Sequence, residues 1–299
     1  MSATVDVGTA AVGVAEPVSE APTAARATWA TLRRNPLALL AFGVLALLLL
    51  AALAAPLVAD YPEGHGPDVL EGPSAAHWFG TDNLGRDIFA QVLYGTQVSM
   101  LVAVCSSVLA IAIGVAIAVV GAYFSRVDPA VGVLVDLCLS LPVLPLMILV
   151  AALAGPSLQT LVLVVAFFSW PEVTRVVRSQ SLSVVTLPYM DAARLMTTSH
   201  WWIIRKHLLP AVTPVVVVSI VLTASRAVLS AAGLAFLGLG DPNSWSWGRI
   251  LYESQQSGAM SSAWWTTLFP SLAILALVLA ATLLSIAYND ARNPRTRES

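Results

Sequence analysis

Few side chains in this sequence are arranged for covalent chemistry. The single lysine, Lys206, follows Arg205, whereas a phosphate-binding loop requires Gly-Lys-Ser/Thr. The four histidines form no His-Glu-x-x-His pair, and no Gly-x-Ser-x-Gly nucleophile elbow occurs. Cys105 and Cys138 lie in apolar runs, where cysteine behaves as a small hydrophobic residue. No catalytic residue or metal site is therefore expected, and any energy-requiring work must draw its energy from another chain.

Ionisable residues do occur inside apolar stretches. Asp136 and Arg226 lie within such stretches, and Glu172 lies near the end of another. A charge in lipid is costly and has to face the interior of a helix bundle or water. One acid and one base are a poor catalytic set. Two interpretations stay open: Asp136 and Arg226 pair with each other, or they line a translocation path.

The composition indicates a membrane protein. Hydrophobic residues make up 58% of the chain and charged residues 11%, whereas soluble domains carry roughly 25% charged residues. Mean hydropathy is +0.80, so lipid is the natural solvent for most of the chain. The net charge of −2 gives no basic excess for nucleic acid. We expect an all-α membrane protein.

Six apolar runs approach the length of about 20 residues that a bilayer requires. The fourth run is interrupted by Pro171 and Glu172, which indicates a buried bend. The predicted transmembrane helices are residues 37–59, 98–124, 129–154, 158–178, 211–234 and 266–288.

The positive charges predict the orientation of these spans. Of the 15 lysines and arginines, only Arg86 and Arg249 fall in predicted outer loops and Arg226 in a span. The remainder fall in segments that are cytoplasmic if both termini lie inside, as the positive-inside rule requires. Residues 60–97 are then an extracytoplasmic loop. Residues 1–25 are predicted to be a disordered cytoplasmic tail, residues 26–36 an interfacial segment, and residues 289–299 a second cytoplasmic tail.

The longest charged inner segment, residues 179–210, contains a predicted short helix that starts with residues 189–193 and has Pro188 just upstream as its start signal. Ala192 and Ala193 are predicted to give this helix a face with little side chain, flanked by Tyr189 and Leu195 as apolar anchors. A second short helix is expected at 201–209, before Pro210. Spacing and composition alone leave open whether the segment is an amphipathic linker or a docking element.

Two glycine-rich stretches each allow two interpretations. The outer stretch contains Gly80, Thr81, Asp82, Gly85, Arg86 and Asp87. It is either a folded loop held by ion pairs of Asp82 or Asp87 with Arg86, or a contact surface for another protein. The second stretch, residues 236–242, contains Phe236, Gly238 and Gly240. It either lines a cavity at membrane depth or simply ends a helix.

Several of these motifs together resemble a known family. Asp191-Ala192-Ala193, then Thr197, then Leu209-Pro210 has the spacing of the EAA loop of bacterial ABC importer permeases, with Asp191 in place of Glu and Thr197 in place of Gly. The outer Phe-Gly-Thr-Asp-Asn-Leu-Gly-Arg-Asp at 79–87 and the Phe-Leu-Gly-Leu-Gly at 236–240 are similar to signatures of dipeptide, oligopeptide and nickel permeases of the DppC/OppC type. The resemblance extends from about residue 32 to residue 294.

The resemblance implies the type I importer permease fold in the bacterial inner membrane, with residues 98–288 as the core domain. It implies a heterodimer with a paralogous permease, two ATP-binding subunits and an extracytoplasmic substrate-binding protein. In such a complex the helix at 191–197, with Tyr189 before it, is the coupling helix. This chain then binds no cofactor, since ATP and Mg²⁺ bind to the ATPase subunits. The implied solute is a peptide or a related small solute such as nickel or a metal chelate.

Two other classes of protein remain to be distinguished from this interpretation. A stand-alone channel or secondary transporter could use Asp136 to carry coupling ions, and a membrane enzyme or assembly scaffold is a third class. An independent channel has no need of the 191–210 loop, whereas an ABC permease depends on it.

Overall fold

The computed structural model describes residues 31–197 and 199–292, and within these ranges no β-strand is found. The predicted 1–25 tail, most of the 26–36 segment and most of the 289–299 tail involve residues outside them. The helices are α1 Pro36–Val58, α2 Ile88–Tyr123, α3 Asp128–Ser140, α4 Val143–Ala154, α5 Leu158–Val185, α6 Pro188–Met196, α7 His200–Ile203, α8 Leu209–Leu234, α9 Trp247–Gln256, α10 Ala259–Ser262 and α11 Trp265–Arg292. Two π-helical turns, Ile204–Leu208 and Ala235–Leu239, flank α8.

Long apolar helices dominate the architecture. In the part of the chain that the structure describes, five helical stretches are long and apolar enough to cross a membrane: α1, α2, α5, the continuous stretch 200–239 and α11. The pair α3 and α4, bent by 82°, supplies a sixth span if it is counted as one. The predicted all-α, multi-span fold is confirmed. Among the described residues, the long loop (residues 59–87) and α9 lie at one end of the bundle and α6 at the other.

Several helix ends differ from the prediction. Helix α2 begins at Ile88 rather than at residue 98, so the last part of the predicted 60–97 loop is helical. Helix α5 continues through Pro171 to Val185. The third span is broken at Leu141, whose backbone is extended (φ −81°, ψ 146°), because a residue before proline avoids the helical region.

The predicted separate helix at 201–209 is wrong, since this segment runs without interruption into α8. Pro210 has no N–H and cannot continue the regular hydrogen-bond ladder. The chain accommodates the proline with the π-helical turn just before it, where the Leu209 N–H donates to the Ile204 carbonyl. The short helix α6 is thereby followed by one continuous helical rod.

Helix α2 packs closely on α5 through Gly114. A Cβ at Gly114 would lie 2.7 Å from Val173 Cγ1 and 3.0 Å from the Trp170 carbonyl oxygen. The Thr174 hydroxyl, also on α5, donates to the Gly114 carbonyl at 3.1 Å. Small residues at such crossings let two helix backbones approach each other in lipid.

We predict that Gly114→Val destabilises the folded protein by about 1–3 kcal/mol, because the added side chain overpacks the α2–α5 contact. Gly43→Val in α1 is the matched control, since a Cβ at Gly43 meets nothing within 4 Å. Thermal unfolding in detergent should show a lower midpoint for Gly114→Val only. Equal midpoints for the two variants would contradict this packing.

Candidate functional site

Helix α6 is a short amphipathic helix fastened to the bundle. Pro188 occupies its first position, Asp191 lies in its first turn and Arg194 in its last, as the helix dipole favours. The Arg194 guanidinium donates to Asp191 at 2.8 Å. On the inner side, Met190 and Ala193 are buried in a cluster that includes residues of α2, α5 and the segment leading into α8. The predicted start of this helix at Pro188 is confirmed.

The outward side of α6 is apolar and uncovered within the described chain. Leu195 is 90% exposed and Met196 86%, and Tyr189 and Ala192 are also exposed. The predicted bare face of Ala192 with Ala193 is wrong, because consecutive helical residues point about 100° apart and Ala193 is buried. Ala192 alone belongs to the open face.

Aromatic residues join α6 to its neighbours. The hydroxyl of Tyr123, the last residue of α2, lies 3.0 Å from His200 Nδ1 at the start of α7. The Arg194 guanidinium carbon lies 5.7 Å from the centre of the Tyr123 ring, within cation–π range. Helices α2, α6 and α7 therefore meet at one polar and aromatic junction.

Thr197, directly after α6, adopts an unstrained backbone conformation. Thr197 has φ −147° and ψ 145°, an extended conformation that any residue adopts. Its N–H donates to the Ala193 carbonyl at 3.2 Å, and its hydroxyl accepts from the Ser199 N–H at 3.2 Å. Threonine at this position is thus compatible with the turn. Leu209 and Pro210, in contrast, lie within the continuous rod.

An open groove of about 560 Å³ lies between α5, α8 and the end of α11. Glu172 on α5 and Arg226 on α8 form an ion pair within it, with side chains 51% and 62% exposed. Valine, leucine, serine and threonine side chains line most of the remaining wall, namely Val173, Val176, Val215, Val218, Ser219, Leu222 and Thr223.

The predicted pair of Asp136 with Arg226 is wrong, because each has a nearer partner on α5. Asp136 accepts from Arg175 at 2.5 Å, and Arg226 pairs with Glu172. Sequence reasoning missed Glu172 and Arg175 as partners. The available signal was the spacing of Glu172, Arg175 and Arg178, since residues three apart share a helix face.

Asp82 and Arg86 hold the long loop against α9. The Asp82 carboxylate accepts from Leu84 N, Arg86 N, Arg86 Nε and Gln91 Nε2 at 2.6–2.9 Å. The Arg86 guanidinium also pairs with Glu253 on α9 and lies 4.7 Å from the centre of the Trp245 ring. The loop is thus held partly by its own Asp82–Arg86 ion pair. Contact of the loop with another protein stays a prediction.

Thr81 ties two parts of the long loop together from a fully buried position. Its hydroxyl donates to the Asp68 carbonyl at 2.5 Å and accepts from the Glu71 N–H at 2.8 Å. Gly85, at φ +73°, approaches Gly66 so closely that a Cβ would lie 2.4 Å from the Gly66 carbonyl oxygen. Gly80 also has a positive φ, +75°.

Asp87 caps α2 and binds a histidine. Its Oδ1 accepts from Phe89 N at 2.7 Å and Ala90 N at 3.2 Å. Its Oδ2 lies 2.9 Å from His77 Nδ1. This hydrogen bond raises the pKa of His77, because the carboxylate stabilises the protonated ring.

The stretch at 236–242 contains the end of the long helical rod. Gly238 takes the left-handed conformation (φ +82°), and a Cβ there would lie 3.1 Å from the Tyr252 ring. A Cβ at Gly240 would lie 2.9 Å from Ala235 Cβ. These glycines end the rod and let α9 pack against it. A cavity-lining role for Phe236, Gly238 and Gly240 stays a prediction.

Several apolar spans, a groove that contains paired charges and an uncovered amphipathic helix at one end define a polytopic membrane permease. The chain belongs to the family of binding-protein-dependent transport system inner membrane components, which it matches over residues 110–298. Residues 23–73 match the N-terminal transmembrane domain of oligopeptide transport permease C. The protein is therefore a multi-pass subunit of a bacterial ABC importer in the cell membrane, a complex that includes ATPase and substrate-binding components.

Similar proteins cover nearly the same length. The chain is 33% identical to the dipeptide transport system permease protein DppC of Alkalihalophilus pseudofirmus, over 91% of this chain and 90% of that one. It is 34% identical to a putative peptide permease of Brucella suis, over 95% of each chain. It is 36% identical to the glutathione transport system permease protein GsiD of Pectobacterium atrosepticum, over 76% of this chain and 75% of that one.

We predict that Thr81→Val destabilises the protein by about 1–3 kcal/mol, because the Asp68 carbonyl and the Glu71 N–H lose a buried partner. Thr267→Val is the matched control, since the buried Thr267 hydroxyl has no hydrogen-bond partner among the described residues. We expect Thr267→Val to be neutral or stabilising. Thermal unfolding of both variants tests this, and a Thr81→Val midpoint equal to that of the native protein would refute the role of Thr81.

We further predict that Glu172→Arg and Arg226→Glu each lower the yield of folded protein and that combining them restores it. Opposite charges are then again in contact across the groove. A coupling energy of at least about 1 kcal/mol is expected from the double-mutant cycle. The double variant Asp136→Arg with Arg226→Asp should not regain the native yield of folded protein, since these residues do not pair. If the Asp136–Arg226 double variant regains folded protein and the Glu172–Arg226 double variant does not, Arg226 pairs with Asp136 and not with Glu172.

Proposed function

We propose that this chain forms half of the translocation pathway of an ATP-driven peptide importer and that α6 couples it to an ATPase subunit. The observation that carries the proposal is the division of α6 into two faces. Met190 and Ala193 are buried against spanning helices, whereas Leu195 and Met196 are almost fully exposed.

The exposed face of α6 has the composition of a docking surface. Two large apolar side chains project from the end of a short helix, and Tyr189 lies on the same open side. The Asp191–Arg194 pair supplies polar groups around them. Apolar anchors with a polar rim are typical of protein interfaces. In this proposal α6 lies in the cytoplasm, as the positive-inside pattern predicts, and inserts into a groove of the ATPase.

In this scheme, ATP binding to the ATPases shifts the equilibrium between conformations of the permease. ATP and Mg²⁺ bind to the partner ATPases and favour one arrangement of those subunits. Because the inner face of α6 is packed against the spanning helices, a displacement of α6 moves the bundle as a rigid body. The bundle then alternates between inward-open and outward-open states.

The groove between α5 and α8 is the best candidate for this chain's share of the pathway. Its open side requires a second wall, which we assign to a paralogous permease. Glu172 and Arg226 provide opposite charges, as the two termini of a peptide do. The names of the similar proteins, for dipeptide, glutathione and peptide transport, support peptides as the solute class. A substrate-binding protein delivers the peptide at the end that carries the long loop.

We predict that Leu195→Ala combined with Met196→Ala lowers ATP-dependent peptide uptake at least about tenfold, because the docking anchors are lost. The isolated permease should keep its thermal stability, since neither side chain is buried within the chain. Leu57→Ala is the matched control: Leu57 is also almost fully exposed but lies at the opposite end of the bundle, and uptake should be unchanged.

The assay uses proteoliposomes that contain both permeases and the ATPases, with the binding protein and a radiolabelled dipeptide outside. If the double variant takes up peptide at the native rate, α6 is not the coupling element. Peptide uptake by vesicles that contain this chain alone, without ATP, would instead identify a stand-alone transporter.

A further inference from the structure

We propose that Asp68, Glu71 and His77 form a binding site for a divalent transition-metal ion such as Zn²⁺ on the long loop. Each of the three side chains offers one ligand atom, and these atoms lie within 4.8 Å of one another. The site is remote from the groove and from α6, so its test does not depend on the proposed coupling to the ATPase.

The histidine is oriented as metal-binding histidines are. Its Nδ1 lies 2.9 Å from Asp87 Oδ2, and its Nε2 lies 3.6 Å from Asp68 Oδ2. With the Nδ1–H donated to Asp87, the Nε2 lone pair is left free as a ligand beside the Asp68 carboxylate. This carboxylate–histidine arrangement fixes the tautomer and the ring orientation that a metal ion requires.

The backbones that carry the ligands are held in place. The buried Thr81 hydroxyl bonds both the Asp68 carbonyl and the Glu71 N–H. Ser74 N donates to the His77 carbonyl at 2.8 Å, and His77 N donates to the Ser74 hydroxyl at 3.1 Å. Zinc holds its ligands at about 2.0–2.2 Å, so the exposed carboxylates of Asp68 and Glu71 have to move toward His77 to close on the ion.

The local charge favours a cation. The long loop carries six carboxylates, of Asp60, Glu63, Asp68, Glu71, Asp82 and Asp87, but only one arginine or lysine. That residue, Arg86, is engaged by Asp82 and Glu253. Within the described ranges neither Asp68 nor Glu71 has an arginine or lysine as an ion-pair partner.

The donor set selects the class of metal. One imidazole nitrogen with two carboxylate oxygens suits Zn²⁺ and similar ions, whereas Ca²⁺ and Mg²⁺ prefer oxygen ligands alone. Three protein ligands leave a position for water. A bound ion would join the 68–71 turn to the 74–77 turn and, through Asp87, to the start of α2. Its role is to fix the surface that the long loop presents.

The test is Zn²⁺ binding by the full-length protein in nanodiscs, purified without a polyhistidine tag and stripped with EDTA. Titration in competition with a chromogenic chelator should give one more Zn²⁺ per chain for the native protein than for His77→Gln, or an affinity at least tenfold higher. The matched control is His65→Gln, which removes the other, exposed histidine of the loop and should bind as the native protein does.

Two further measurements separate ligation from folding. Zn²⁺ should raise the unfolding midpoint of the native protein but not that of His77→Gln. Asp87→Ser keeps a capping side chain on α2 and removes the partner of Nδ1, so Zn²⁺ affinity should fall 10- to 100-fold. If His77→Gln does not fold, Glu71→Gln gives the same comparison. Native protein that binds no Zn²⁺, or binds it as His77→Gln does, would overturn the proposal.

Discussion

The inner face of α6 depends on burial against the spanning helices. Met190 is fully buried among residues that include Val184 of α5, Ile203 of α7 and Leu208 of the adjoining π-helical turn. Burial of a methionine side chain contributes about 1.5–3 kcal/mol, whereas an isolated helix of nine residues is not stable in water. Helix α6 therefore exists because it is docked, and any force on it acts directly on the spans that carry the groove.

Helix α5 connects the functional parts of the bundle electrostatically. Glu172, Arg175 and Arg178 lie at three-residue spacing, and their partners are Arg226 on α8 and the aspartates of α3. In a bilayer an unpaired charge is costly, so these pairs help to fix the positions of three helices. The same helix packs on α2 through Gly114 and contributes to the cluster that holds α6. Helix α5 therefore supports both the groove and α6.

Much of this architecture could be predicted from the sequence. Apolar runs are long and local, so the sequence predicts the spans. It also predicts the start signal of α6 at Pro188 and, as one of two interpretations, the Asp82–Arg86 pair. The partners of Asp136 and Arg226 could not be deduced, because pairing depends on helix rotation and relative depth. The break at Leu141 and the continuity through Pro210 result from backbone adjustments that hydropathy does not register. Residue type alone does not fix the side of a helix, so the sequence groups Ala193 with Ala192 on the open face although Ala193 is buried.

The most direct test of the mechanical claim is the number of peptide molecules transported per ATP hydrolysed by the complete importer. Met190→Ala loosens the docking of α6 without altering its outward face, and Met147→Ala truncates another buried methionine, in α4. If α6 transmits force through its buried face, the ratio falls at least about tenfold in Met190→Ala while ATP hydrolysis continues, and Met147→Ala keeps the native ratio. Equal ratios in the two variants would contradict the account.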